Sequence, residues 1–80
     1  MDVRKRILAD IAADAALSVR DIRLDLGRKR FLQNKKVLMV HGTVTTGAQK
    51  DRLLKLAQRR AGEDYEIMDH LLVSELLWEG

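Results

Sequence analysis

The chain has 80 residues, no Cys, no Pro and a formal net charge of +3. This length allows one domain, and a sequence without Cys excludes disulfide bonds and thiolate metal sites. The hydrophobic fraction of 46% is ordinary for a globular protein and argues against disorder. We therefore expect a single domain over residues 1–80, with a core over residues 3–73 and a short tail over residues 74–80.

The first predicted element is a helix over residues 3–17. Its apolar side chains recur with the helical period and form one stripe, namely Val3, Ile7, Leu8, Ile11, Ala12 and Ala15. Asp2 precedes this stripe, and its carboxylate is suited to cap the helix N-terminus. Asp10 and Asp14 interrupt the apolar stretch, so the segment does not have the pattern of a secretory signal. No apolar run is long enough to cross a bilayer.

Two strands follow, and they are predicted to form a hairpin. Residues 22–26 alternate apolar and charged side chains, as a half-buried strand does. Residues 37–44 continue the alternation, with one face formed by Leu38, Val40, Gly42 and Val44. Gln33 and Asn34 are the predicted turn, because Asn tolerates left-handed backbone angles. A Gly inside a strand indicates a bulge or a close backbone approach, and we expect the second helix to cross above Gly42.

A basic arm occupies the outer end of this hairpin, in residues 28–36. Its bases flank two apolar residues, and the predicted contact residues are Arg28, Lys29, Arg30, Phe31, Leu32, Lys35 and Lys36. The bases give the arm a charge of +5, whereas the rest of the chain sums to −2. Residues 63–80 contain six acids and no base. We predict that the arm contacts an anionic partner; the alternative is a solvated hairpin whose charges prevent strand-edge aggregation.

The chain ends with a second helix and a third strand. Thr46 and Gln49 fit a capping box, and the helix is predicted over residues 48–61 with Gly62 as its stop. Its buried stripe consists of Leu53, Leu56, Ala57 and Ala61. The third strand is predicted within residues 66–77, where the residues that share one face are Ile67, Asp69, Leu71 and Val73. The order α-β-β-α-β predicts an α+β fold with two helices packed on one face of a three-stranded mixed sheet.

The outer face of the predicted sheet, away from the helices, carries several apolar residues. The predicted interface residues are Val37, Met39, Met68 and Leu72 on this face, together with Trp78 of the tail. We expect this face to be covered, because a group of apolar residues on a small sheet marks an interface. The cover is either the tail, with Leu76, Leu77 and the only Trp, Trp78, or an intermolecular contact with a second copy or a partner protein.

The sequence contains no catalytic constellation. Ser18 and Ser74 lie outside any nucleophile-elbow context, and the segment GTVTTG lacks the Lys of a phosphate-binding loop. His41 and His70 approach each other on the outer face if the second and third strands are neighbours, but two His alone make a poor metal site. Asp69 has core parity, so it either caps a backbone group near the helices or is a strained polar residue with a raised pKa. We expect no catalysis, no cofactor and no metal.

Residues 37–73 contain an ordered motif: a strand with x-Gly-x-Val, a capped helix with a small residue near its end, a Gly, and a last strand. The matching positions are Val40, Gly42, Val44, Ala57, Gly62, Ile67, Leu71 and Val73. In this combination the sequence resembles the BON domain, the bacterial domain named after osmotically induced and nodulation proteins. The first helix and residues 22–26 match its first half, so the resemblance covers most of residues 3–73. The departures are Asp69, where the family usually has Asn, and an arm longer than the usual turn.

The resemblance implies a non-catalytic, membrane-associated module that binds phospholipid or mediates protein contacts. In this chain the expected contact with an anionic phospholipid surface is the basic arm. A second hypothesis is a homo-oligomeric or partner-protein assembly domain that uses the outer sheet face. A third is nucleic-acid binding, which a single Phe supports only weakly because base stacking needs aromatic side chains. If Met1 is the native start, we expect a cytoplasmic protein; if the sequence is an excised domain, we expect the cell envelope.

Overall fold

The computed structural model describes residues 2–29 and 35–74. Its elements in chain order are α1 (Val3–Ala13), β1 (Val19–Lys29), β2 (Lys35–Val44), α2 (Gly47–Ala61) and β3 (Tyr65–Val73). The strand order is β1-β2-β3, with β1 antiparallel to β2 and β3 parallel to β2. The structure therefore confirms the predicted α+β fold with a three-stranded mixed sheet.

The helix α1 is shorter than the sequence predicts. Asp2 caps its start as expected, since the Asp2 carboxylate accepts the backbone N–H of Arg4 at 2.9 Å. The helix ends at Ala13 rather than at residue 17, because the Asp14 carboxylate accepts the N–H of Ala16 at 2.9 Å and offers the backbone a turn instead of another helical bond. The predicted stripe is also too wide, since Leu8 is exposed.

The helix α2 begins and ends where its capping residues predict. Thr46 is the N-cap, and its hydroxyl accepts the N–H of Gln49 at 3.2 Å. Gly62 follows the helix with a φ of 75°, a conformation that favours Gly. The other contact of a capping box, from the Thr46 N–H to the Gln49 side chain, was predicted and is wrong. The Gln49 side chain instead accepts the N–H of Ser18 at 2.9 Å and donates to the carbonyl of Ala16, so it ties α2 to the loop before β1.

The core lies between the two helices and one face of the sheet. The central strand contributes the even-numbered residues Leu38, Val40 and Val44, all of which are fully buried. The remaining buried members of the cluster are Ile7, Ile11, Leu24, Leu53, Ala57, Ala61 and Leu71. The predicted stripe of α2 is therefore confirmed for Leu53, Ala57 and Ala61, and Leu56 packs against the core while half-buried.

A β-bulge interrupts the pairing of β1 with β2 near Gly42. Arg20 pairs with Thr43, but the next pair joins Arg23 to His41, so two residues of β1 lie opposite Gly42 alone. The sequence predicted either a bulge or a close backbone approach at this Gly, and the bulge is confirmed. A bulge of this kind strengthens the local twist of the sheet.

Gly42 is crowded by the nearby residues of β1, and the expectation that the second helix crosses above it stays a prediction. A Cβ atom at this position would lie 3.1 Å from the Val19 Cγ2 and 3.2 Å from the Arg20 carbonyl oxygen. Both contacts are tighter than a methyl group normally accepts, and the φ of 154° also favours Gly. The bulge brings the β1 backbone so close to Gly42 that a residue with a side chain would not fit there without a shift.

We expect Gly42→Ala to lower the free energy of unfolding by about 1–3 kcal/mol, because the added methyl group must displace the β1 backbone. The matched control is Gly47→Ala in the first turn of α2, where an added Cβ meets no atom within 4 Å. The control should be neutral or slightly stabilising. Urea unfolding of both variants measures the difference, and equal stabilities would contradict the crowding at Gly42.

Candidate functional site

The basic arm is built on the far end of the β1–β2 hairpin. Arg28 pairs with Lys36 across the two strands, and Lys29 pairs with Lys35. Two cross-strand pairs of like charge therefore follow one another. The arm residues Arg30, Phe31 and Leu32 and the predicted turn at Gln33 and Asn34 lie outside the described residues.

A shallow recess adjoins these bases on the helix side of the sheet. Its lining consists of Leu26, Gly27, Arg28, Lys36 and Tyr65. Leu24 is buried in the core, whereas Leu26, two residues further along the same face, is 40% exposed. On β1 the buried part of this face therefore ends between these two residues. The face beyond that point is accessible, and it presents bases beside an aromatic ring.

Tyr65 is the aromatic member of this recess, and the sequence did not identify it as a site residue. It is the first residue of β3, and the parallel register places it beside Lys36. The Lys36 Nζ lies 5.5 Å from the centre of the Tyr65 ring, which is within the range of a cation–π contact. Only the parallel pairing of β3 with β2 brings these residues together, and the sequence left the strand order open.

Three bases of α2 are paired with acids, in contrast to Arg28 and Lys36 of the arm. The Lys50 Nζ lies 2.7 Å from a carboxylate oxygen of Asp69, and the Arg52 Nε lies 2.9 Å from one of Asp14. Arg60 forms a further ion pair, with Asp10 of α1. Within residues 2–29 and 35–74, Arg28 and Lys36 are exposed and form no salt bridge with an acid. Arg28 and Lys36 therefore place two positive charges opposite each other without an acid among the described residues to pair with them.

Asp69 caps a backbone group, which was one of the two interpretations of its core parity. One carboxylate oxygen accepts the N–H of Leu71 at 2.8 Å, and the other binds Lys50. Burial raises the pKa of Asp69, but the Lys50 ammonium and the Leu71 N–H together outweigh burial and leave the pKa below its usual value. The alternative of a strained interior carboxyl with a raised pKa is therefore wrong.

The outer sheet face is unevenly exposed. Val37 is only 3% exposed although it does not belong to the main core cluster, and Met39 and Met68 are half-buried. Leu72 is 66% exposed, the highest value among the large apolar residues that the structure describes. Trp78, the fifth predicted interface residue, lies outside the described residues.

His41 and His70 stack on this outer face, as expected if β2 and β3 are neighbours. Their ring centres are 4.9 Å apart and the ring planes differ by 10°. The His41 Nε2 lies 3.3 Å from a carboxylate oxygen of Asp25, which also accepts a hydrogen bond from Arg23. Nitrogen lone pairs lie in the planes of the rings, so two parallel stacked rings do not direct them toward one ion. The stack is better suited to a packing contact than to a metal.

Comparison with protein-family models, curated proteins and solved structures found no match to this chain. The resemblance to the BON domain therefore stays a prediction. In the described part of the chain, no helix is both long and apolar enough to span a membrane. Within the same residues, no three His, Asp or Glu side chains form a group that could hold a metal ion.

The ion pairs predict that acid destabilises the fold. The pKa of Asp14 is lowered by its hydrogen bond with Arg52, the pKa of Asp69 is lowered on balance, and the pKa of Asp2 falls from 3.8 to about 2. Each carboxyl binds its proton less readily in the folded chain than in the unfolded one. The stability that they contribute is therefore complete above the unfolded pKa and is lost as the pH falls through the folded pKa.

We expect the free energy of unfolding to decrease from about pH 5 to about pH 2. Arg52→Gln should make this decrease shallower, because Asp14 then titrates more nearly as it does in the unfolded chain. Urea unfolding across this pH range measures both slopes, with Arg59→Gln on the same helix as the control for the loss of one positive charge. Identical slopes for all three proteins would contradict the contribution of the Arg52–Asp14 pair.

Proposed function

We propose that this protein is a non-catalytic binding module whose basic arm contacts an anionic phospholipid surface. The observation that carries the proposal is the placement of like charges opposite each other at one end of the hairpin. Arg28 faces Lys36, and Lys29 is paired with Lys35 in the next register position. The resemblance to BON domains supports the same conclusion from the sequence.

Like charges directly opposite each other destabilise a pair of strands. This arm concentrates them where, among the described residues, no acid neutralises Arg28 or Lys36. An anionic surface would supply the missing counter-charge and remove the repulsion. The binding energy then comes from a feature that weakens the isolated hairpin.

The recess beside the arm adds a second element to this contact. Tyr65 offers an aromatic ring at the sheet end, and Leu26 offers exposed apolar surface next to Arg28. Aromatic rings with a polar tip suit the boundary between headgroups and acyl chains. Each base near an anionic bilayer contributes about 1 kcal/mol, so binding through the arm is reversible and sensitive to salt.

The test is co-sedimentation of the intact protein with vesicles of phosphatidylserine and phosphatidylcholine, compared with vesicles of phosphatidylcholine alone. We expect binding only to the anionic vesicles. The double variant Arg28→Gln/Lys36→Gln should bind about 30-fold more weakly, since two bases near the surface contribute about 2 kcal/mol. Added salt should weaken the binding of the unaltered protein.

The matched control is Lys55→Gln/Arg59→Gln, which removes the same charge from exposed positions on α2. We expect this control to bind vesicles nearly as well as the unaltered protein. Equal losses in the two double variants would show that net charge, and not the arm, governs binding. A short DNA duplex serves as a competitor, and displacement of the protein from vesicles at low duplex concentration would favour nucleic-acid binding instead.

A second candidate function is assembly through the outer sheet face. The high exposure of Leu72, on the same face as the half-buried Met39 and Met68, favours it, because apolar side chains on a sheet face are usually covered. The same vesicle experiment separates the two candidates. A protein that ignores anionic vesicles but captures a defined protein partner through this face would support assembly over lipid contact.

A further inference from the structure

The strand β3 lies at one edge of the sheet, and its odd-numbered residues direct their backbone groups away from β2. The N–H of Ser74 donates to the carbonyl of Val44 at 2.8 Å, so even-numbered positions of this segment bind β2. Alternate residues of a strand point their N–H and C=O groups to opposite sides. The outward groups of β3 therefore belong to residues such as Ile67, Asp69, Leu71 and Val73.

The Asp69 side chain forms a hydrogen bond with the outward N–H of Leu71, near the middle of this edge. Its carboxylate accepts the N–H of Leu71 at 2.8 Å, which is the group that an added strand would use. Lys50 of α2 holds the second carboxylate oxygen at 2.7 Å and so fixes the side chain in place. An edge strand is a template for pairing unless a charge or a bulge blocks it. Asp69 blocks pairing in this way, because its carboxylate already accepts the backbone N–H of Leu71 that an added strand would need.

The segment beyond Asp69 is the apolar part of the edge. Leu72 is 66% exposed on the outer face and Val73 is 45% exposed on the inner face. The nine residues of β3 contain no Pro, and no bulge interrupts the register with β2. A strand that is long, regular and apolar at its exposed end is suited to strand addition.

We propose that the outward edge of β3 is an interaction surface for β3 of a second copy, and that the hydrogen bond from the Leu71 N–H to the Asp69 carboxylate gates it. The two strands run antiparallel about a two-fold axis at His70. Met68 then lies opposite Leu72 of the second copy on the outer face. Ile67 lies opposite Val73 of the second copy on the inner face. Both exposed apolar residues of the edge thus gain an apolar cross-strand partner.

Neighbouring registers do not offer this match. A shift of one residue along the partner strand would move its side chains to the opposite face of the sheet. Only registers that differ by two residues therefore need comparison. An axis at Asp69 would place two carboxylates opposite each other, which is destabilising. An axis at Leu71 would place Asp69 opposite Val73 and His70 opposite Leu72. The axis at His70 requires only that Leu71 exchange the Asp69 carboxylate for the Asp69 carbonyl of the second copy.

The first test replaces the gate and measures the solution mass by light scattering after gel filtration. We expect the unaltered protein to elute as a monomer and Asp69→Ala to elute at twice that mass. Asp69→Asn should remain monomeric, because its amide oxygen still accepts the N–H of Leu71. An Asp69→Ala protein that is folded but monomeric would overturn the proposal. Dimerisation of Asp69→Asn to the same extent as Asp69→Ala would also overturn it, because the gate would not then be the hydrogen bond.

The second test determines the register by cross-linking. It can be carried out at low protein concentration even if Asp69→Ala is poorly soluble. The chain has no Cys, so a single introduced Cys reports one position. His70→Cys in the Asp69→Ala background should form a disulfide-linked dimer on mild oxidation, because directly opposite residues that do not share hydrogen bonds have Cα atoms about 4.5 Å apart. His41→Cys in the same background, on the same face but on the central strand, should stay monomeric. Equal cross-linking at both positions would indicate face-to-face aggregation and contradict edge pairing.

Discussion

The structure depends on the complete burial of one face of β2, the middle strand of the sheet. Leu38, Val40 and Val44 are fully buried there, and each contributes about 1.5–3 kcal/mol by the removal of its side chain from water. Both helices pack against this face, and both other strands take their register from its backbone. Every feature considered as a site is an extension of β2 or a neighbour of it. The arm begins at its first residues, and the outward edge of β3 is set by its parallel pairing.

The periodicity of the sequence was sufficient to predict the elements, because the alternation of apolar residues changes from the helical to the strand period. Periodicity was not sufficient where a polar side chain can form a hydrogen bond with either of two partners. Asp14 ends α1 early by accepting the Ala16 N–H. Gln49 leaves the capping box to bind the loop before β1. In both cases the chosen bond depends on a local or tertiary geometry that residue spacing does not specify. Gly42 is similar, since the sequence predicted a close approach by the second helix, whereas the nearest atoms belong to β1.

One part of the candidate site can be predicted from the sequence, and another part depends on the topology of the sheet. The basic arm is visible as a run of bases, and the structure pairs those bases across the hairpin. Tyr65 is distant from the arm in sequence, and only a parallel β3 brings it to Lys36. A connection through α2 makes this parallel pairing geometrically accessible, because a helix carries the chain back to the start of β2. A sequence alone does not distinguish it from an antiparallel return.

Asp69 shows how one residue serves both the fold and its surface. The position needs an acceptor for the outward N–H of Leu71, and either an amide or a carboxylate oxygen supplies one. The carboxylate has a further property, since its second oxygen binds the Lys50 ammonium on α2. The acceptor is thereby connected to a helix that packs on the core through Leu53 and Ala57. The carboxylate of Asp69 therefore couples the capping of the outward Leu71 N–H to the docking of α2, which an amide alone would not do.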